Sequence, residues 1–147
     1  MQHNIYKDLY ITDGYEAFEF FSIGKRGVAP KRIAFIPTDL EAVYNLVFGD
    51  INVEGEIDDE VISDNVDRNK ILATVIYVLS IYLEAYPKRI VFFTGSTAGR
   101  LRLYRIVISL NYTEFSKKFD IYCETESGIV PFEKNIEAKN YLVCKKV

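Results

Sequence analysis

The residues of this chain best equipped to hold an anion stand together in one place: Gly95-Ser96-Thr97, then Arg100. The preceding Val91-Phe92-Phe93-Thr94 reads as a buried strand, and Ala98 to Asn111 reads as a helix. A helix entered through a Gly-Ser-Thr turn presents unpaired N–H groups and positive potential, where a phosphate or carboxylate can sit. The same residues also suit an ordinary junction, with Gly95 making the turn and Ser96 or Thr97 capping the helix. The Gly-x-x-x-x-Gly-Lys-Ser/Thr pattern of a P-loop is not met, and Arg100 stands where the lysine would be. Gly-x-Gly-x-x-Gly is absent too, as is the pyrophosphate-loop pattern of acetyl-CoA-dependent acyltransferases.

Helix phase separates the three arginines that follow. At about 3.6 residues per turn, Tyr104, Val107, Ile108 and Leu101 gather around the azimuth of Arg100, whereas Arg102, Arg105 and Ser109 fall opposite. Arg102 and Arg105 therefore read as surface charges, and Arg100 as an inward guanidinium. Such a group cannot shed its charge and needs a carboxylate, carbonyls or a bound anion. Asp50 and Asp67, both beside apolar elements, are the candidate polar partners. The functional alternative is that Arg100 and the N–H groups near Ser96 and Thr97 close on a ligand's phosphate or carboxylate.

The elements that position these residues are legible in outline. Ala17-Phe18-Glu19-Phe20-Phe21-Ser22-Ile23 is aromatic and extended and ends at the turn Gly24-Lys25-Arg26-Gly27. Lys31 to Ile36 resumes the pattern, and Ala42 to Phe48 is expected as a third strand, stopped by Gly49-Asp50. A long periodic segment from about Asp67 to Tyr86, ended by Pro87, predicts a helix with Asp64-Asn65-Val66-Asp67 supplying caps. Its apolar arc is so wide that the sheet alone does not cover it; the second helix or a partner subunit is expected to help. Arg89 to Thr94, Phe119 to Glu124 and Ala138 to Lys145 are the remaining strands. The predicted class is α+β, a two-layer sandwich with a mainly antiparallel sheet and two helices, in the order β-β-β-α-β-α-β-β. A single domain over 1–147 is expected, with 1–14 as a loose N-terminal segment.

Composition narrows the function classes. Of 147 residues, 49% are apolar and 14% aromatic, enough for one packed core. No apolar run approaches the roughly 20 residues of a membrane span, and the N-terminus lacks a signal-peptide pattern, so a cytoplasmic protein is expected. Cys123 and Cys144 are read as free, buried thiols. The one histidine, His3, leaves metal and Cys/Ser-His chemistry without ligands, and neither a metal nor a cofactor is expected. The net charge of −3 conceals segregation: Asp50 to Asp67 holds eight acids and no base, whereas Pro87 to Lys118 holds seven bases and one acid. The acidic window does not fit the spacing of an EF-hand and reads as a solvated loop. The basic band lacks a nucleic-acid-binding motif, so nucleic acid is not an expected partner.

Four blocks carry a family resemblance: Tyr44-Asn45-Leu46-Val47-Phe48-Gly49-Asp50, Ile71-Leu72-Ala73-Thr74-Val75, Phe93-Thr94-Gly95-Ser96-Thr97 and Arg100-Leu101-Arg102-Leu103-Tyr104. Together they resemble a family of small uncharacterised bacterial proteins found mainly in the Bacteroidetes, over about residues 15–145. Members commonly read Arg-Thr-Arg-Leu-Tyr in the last block, and Leu101 replaces that threonine here. The resemblance implies the domain boundaries and a cytoplasmic bacterial setting, and carries over no activity or catalytic residue. The leading expectation is a non-enzymatic interaction protein that self-associates or joins a small complex. The alternative is a binder of, or enzyme acting on, a phosphorylated or nucleotide-like molecule at Gly95 to Arg100.

Overall fold

A computed structural model describes residues 5–25, 27–58, 67–93 and 98–147, with the backbone alone at 98–100. Strands β1 (Tyr10–Ile11), β2 (Ala17–Gly24), β3 (Gly27–Pro37), β4 (Val43–Ile51) and β5 (Ile57–Asp58) precede helix α1 (Arg68–Ala85). Strand β6 (Ile90–Phe93), helix α2 (Ala98–Phe115) and strands β7 (Phe119–Thr125), β8 (Gly128–Pro131) and β9 (Asn140–Lys145) follow. The predicted class and element order stand, with three short strands added: β1, β5 and β8. Helix α2 runs on to Phe115, past the expected end at Asn111.

All strands form one sheet in the order β1-β2-β3-β4-β6-β9-β7-β8, with β5 also paired to β4. Neighbours are antiparallel except β4 and β6, which are parallel and joined through α1. A parallel pair needs such a crossover, because a tight turn cannot bring the chain back to the same end. Gly24 pairs with Gly27 around a two-residue turn, where the φ of +98° at Gly27 requires glycine.

Burial alternates along every long strand. Phe18, Phe20 and Ser22 on β2, Ile33 and Phe35 on β3, Leu46 and Phe48 on β4, and Val91 and Phe93 on β6 are buried on one face. Both helices pack on that face: Tyr82 of α1 stacks on Phe35 with centroids 3.7 Å apart, and Tyr104 of α2 meets Phe93 edge-on at 5.1 Å. Tyr104, Val107 and Ile108 of α2 are buried on the arc its periodicity assigned, and Phe115, beyond the expected end of the helix, is buried as well. Helix α1 buries Ile71 to Ile76 without a break, in keeping with its wide apolar arc. Part of that cover comes from the N-terminal segment, where the Tyr6 N–H donates to Thr74 Oγ1 at 2.9 Å. Among the described residues the opposite face of the sheet carries no helix.

Candidate functional site

The parallel pair fixes where the predicted site lies. Strands β4 and β6 both run toward the same end of the sheet, and α1, which leads back to the start of β6, begins at that end. Helix α2 begins there as well, a few residues beyond Phe93. Gly95, Ser96 and Thr97 lie outside the described residues, and Arg100 enters only through its backbone in α2. Asp50 and Asp67 are described, and each belongs to a polar group at this end, Asp50 with Lys31 and Asp67 with Tyr6 and Ser22.

Asp50 forms an ion pair with Lys31, whose side chain is completely buried. The cross-strand register sets Lys31, Asp50 and Asp58 in one row over β3, β4 and β5. Two aspartates opposite each other repel, so the buried ammonium offsets a cost that the pairing of β5 creates. Isolating a lysine from water costs several kcal/mol, and attraction to a carboxylate is what makes its charged form tolerable there.

Asp67 departs from its predicted role. It precedes α1, yet its side chain makes no capping bond. Instead Asp67 Oδ2 accepts from the Tyr6 hydroxyl and, at 2.5 Å, from Ser22 Oγ. These long-range donors outcompete the local cap because they are buried, where an unpaired hydroxyl is expensive. Among the described residues the second oxygen, Oδ1, is buried without a hydrogen-bond partner. The Tyr6 hydroxyl has its pKa raised, first by burial and then by its bond to the Asp67 carboxylate. The ammonium of Lys70 lies 4.3 Å from the Tyr6 ring centre.

Sequence reasoning missed Tyr6, Ser22 and Lys31 as members of these groups. The signal was present for two of them: Ser22 shares the period-2 face of Phe18 and Phe20, and Lys31 that of Ile33 and Phe35. Lys31 stands close to Lys25, Arg26 and Arg32 along the chain, and its complete burial sets it apart from an ordinary surface charge. Arg32, on the other face, pairs with Glu19 at 2.7 Å and donates to the Gly55 carbonyl at 2.7 Å.

Two further readings are adjusted by the geometry. Arg102 is exposed as expected, whereas Arg105 is half-buried beside Tyr141 and Glu137 in a shallow cavity of about 370 Å³. Cys123 and Cys144 are free thiols, but only Cys123 is buried in the core. Cys144 is half-buried on the face opposite the helices, because Cys123 pairs with Tyr141 while Cys144 pairs with Asp120. Burial raises both thiol pKa values.

At the other end of the sheet, Arg89 lies against Tyr44, Tyr82 and Tyr86, its guanidinium carbon 4.2, 5.8 and 3.7 Å from the respective ring centres. Arg89 Nη1 donates to the Tyr82 hydroxyl at 2.8 Å. Tyr82, Tyr86 and Arg89 follow one another at the end of α1 and just beyond it, whereas Tyr44 comes from β4, far away along the chain.

The fold and this site define an α+β protein with one helix-covered sheet face, an opposite face that carries no helix among the described residues, and a buried lysine, Lys31, beside the end of parallel strand β4. The chain belongs to a family of unknown function, DUF6934, whose family model matches residues 2–146. No curated protein and no solved structure matches it. Among the described residues no helix is long and apolar enough to cross a membrane.

Proposed function

We propose that this protein acts by binding another protein chain rather than by catalysis, and that its partner is a second copy of itself. The observation that carries the reading is the face of the sheet that carries no helix among the described residues. Its centre is apolar, with Val47, Phe92, Leu142 and Tyr122 half-buried on adjacent strands. Toward the β2–β3 turn, Phe21, Ile23 and Val28 are 60%, 65% and 63% exposed, and Ile23 pairs directly with Val28. Exposed apolar side chains grouped in the way of Phe21, Ile23 and Val28 mark interaction sites.

Size and layout favour a second copy. Eight adjacent strands of two to eleven residues, at about 4.8 Å spacing and about 3.3 Å per residue, make a face of roughly 800 Å². A standard interface takes about 800 Å² from each partner. Charged residues such as Glu19, Arg32, Asp120 and Glu124 lie around the apolar centre, the arrangement of core and rim that interfaces use. A two-fold contact brings like patches together, so apolar centre meets apolar centre.

Sedimentation equilibrium from about 1 to 100 μM tests this. The wild type is expected to be dimeric, and Phe92→Glu, which puts a charge at the centre of the face, to be monomeric. The Phe21→Lys/Val28→Lys pair alters exposed positions and is expected to weaken association at least about tenfold with the fold intact. A wild-type monomer at 100 μM, or a dimer undisturbed by both variants, overturns the proposal.

A second reading is favoured by the polar groups at the strand ends: a phosphorylated or nucleotide-like small molecule held at Gly95 to Arg100. Lys31, Asp50 and Asp67 gather where both helices begin, and open α/β sheets bind ligands outside the carboxyl ends of their strands. Thermal-shift measurements with inorganic phosphate and nucleoside monophosphates check it. A shift that Arg100→Met removes from a folded protein supports this reading; no shift with any of them refutes it.

A further inference from the structure

A cavity of about 490 Å³ opens at the end of the sheet opposite these polar groups, among the loop before β2, the end of β3, the start of β4 and the end of α1. Its walls are Ala34, Phe35, Ile36 and Pro37 on one side and Tyr44, Tyr82 and Tyr86 on another, with Arg89 among them. The volume falls within the range of about 300–1,000 Å³ typical of small-molecule sites.

We infer that this cavity is a binding site for a small organic monocarboxylate, with Arg89 holding the carboxylate and the aromatic and aliphatic walls holding its apolar body. Arg89 is the group that argues for it. Its guanidinium packs closely against Tyr44 and Tyr86 and bonds the Tyr82 hydroxyl, so its orientation is set before any ligand arrives. No carboxylate of the described residues forms an ion pair with it, and a planar fork with spare donors is matched by a carboxylate. Tyr82 is 1% exposed, so the floor beneath the guanidinium is dry.

The same walls select the class of ligand. A quaternary ammonium would need the tyrosine faces that Arg89 already occupies. A phosphate dianion would meet a single arginine, so the second of its charges would be left unpaired beside Glu16 on the cavity wall. A monoanion with an apolar body meets neither obstacle.

The segment that closes the cavity is held under backbone strain. Gly14 and Tyr15 have φ of +73° and +59°, and the second is unusual for a bulky residue. Tyr86 fixes this turn by donating from its hydroxyl to the Gly14 carbonyl at 2.7 Å, and Tyr15 meets the Tyr86 ring edge-on at 6.4 Å. Thus one tyrosine packs against the arginine and also anchors the wall. Backbone strain maintained by its surroundings is a recurring feature of ligand clamps.

Titration calorimetry or ligand-observed NMR with phenylacetate, inorganic phosphate and benzylamine tests the inference. Phenylacetate is expected to bind with a dissociation constant at or below about 1 mM, and the other two not to bind. Arg89→Met is expected to abolish binding, and Arg89→Lys, which keeps the charge but loses the fork, to weaken it at least about tenfold. If Arg89→Met does not fold, Arg89→Lys carries the comparison. No response to phenylacetate, equal binding of phosphate, or undiminished binding in the Arg89→Lys variant overturns it. Failure of self-association leaves this result untouched, because the cavity lies within one chain.

Discussion

Replacing Gly49 by alanine puts a methyl group where the chain has already placed backbone. Gly49 lies in β4 opposite Arg32, and β5 returns alongside, pairing Asp58 with Asp50. A Cβ on Gly49 would stand 2.3 Å from the Asp58 carbonyl oxygen, 2.9 Å from its carbonyl carbon and 3.0 Å from Ile57 Cγ2. The first two are backbone atoms, so no side-chain rotation relieves the contact, and β5 has to retreat by about 1 Å to reach ordinary packing distance. Overpacking of this kind costs about 1–3 kcal/mol. Alanine returns about 0.4–1 kcal/mol by restricting the unfolded chain, which leaves a net loss of about 1–2 kcal/mol. For a chain of this length the midpoint moves about 2–4 °C per kcal/mol, so G49A is expected to melt about 2–8 °C lower. Thermal unfolding followed by circular dichroism, with a urea titration to check that the slope is unchanged, measures this. A midpoint equal to or above the wild type would refute the reasoning and mean that β5 does not lie against Gly49.

Thr74→Val removes the hydroxyl that accepts the Tyr6 N–H and donates to the Lys70 carbonyl at 2.8 Å. The orphaned Tyr6 N–H makes a loss of about 1–3 kcal/mol the expected outcome, with faster amide exchange at Tyr6, whereas Thr74→Ser keeps the bond and loses less. Tyr141 is buried, and its pKa is pushed up to about 12 by that burial, with the Cys123 thiol adding to it. The unfolded tyrosine ionises near 10.0, so its contribution to stability is complete below pH 10 and is lost as pH rises toward 12. Denaturant midpoints are therefore expected to fall through that range, and Tyr141→Phe to flatten the fall; an unchanged slope in the variant would count against Tyr141 as its source.

How much of this was readable in advance depended on the range of the interaction. Alternation at Phe18, Phe20, Ile33 and Phe35 placed the strands, and Gly24 to Gly27 placed their turn, because these signals are local to a few bonds. The placement of Asp67 failed for the opposite reason. As a local residue it reads as a helix cap, and only the approach of Tyr6 and Ser22, far away along the chain, gives its carboxylate different partners. Gly49 looked like a strand stop until β5 was seen to pass over it. Arg89 looked like one base in a basic band, and its three tyrosines come together only when β4 and the end of α1 are adjacent.

The sequence by itself determined the layers, the element order and which face of each strand is apolar, since periodicity and turn chemistry act between near neighbours. It also gathered the candidate anion-holding residues at the start of α2. Tertiary structure alone decided the strand order, which sets β6 between β4 and β9 and β9 between β6 and β7. It likewise decided which charges are buried: Lys31 pairs with Asp50 at one end, and Arg89 stands without a carboxylate partner among the described residues at the other. Those outcomes rest on strand order and crossover, which bring Asp50 beside Lys31 and Tyr44 beside Arg89 from distant parts of the chain.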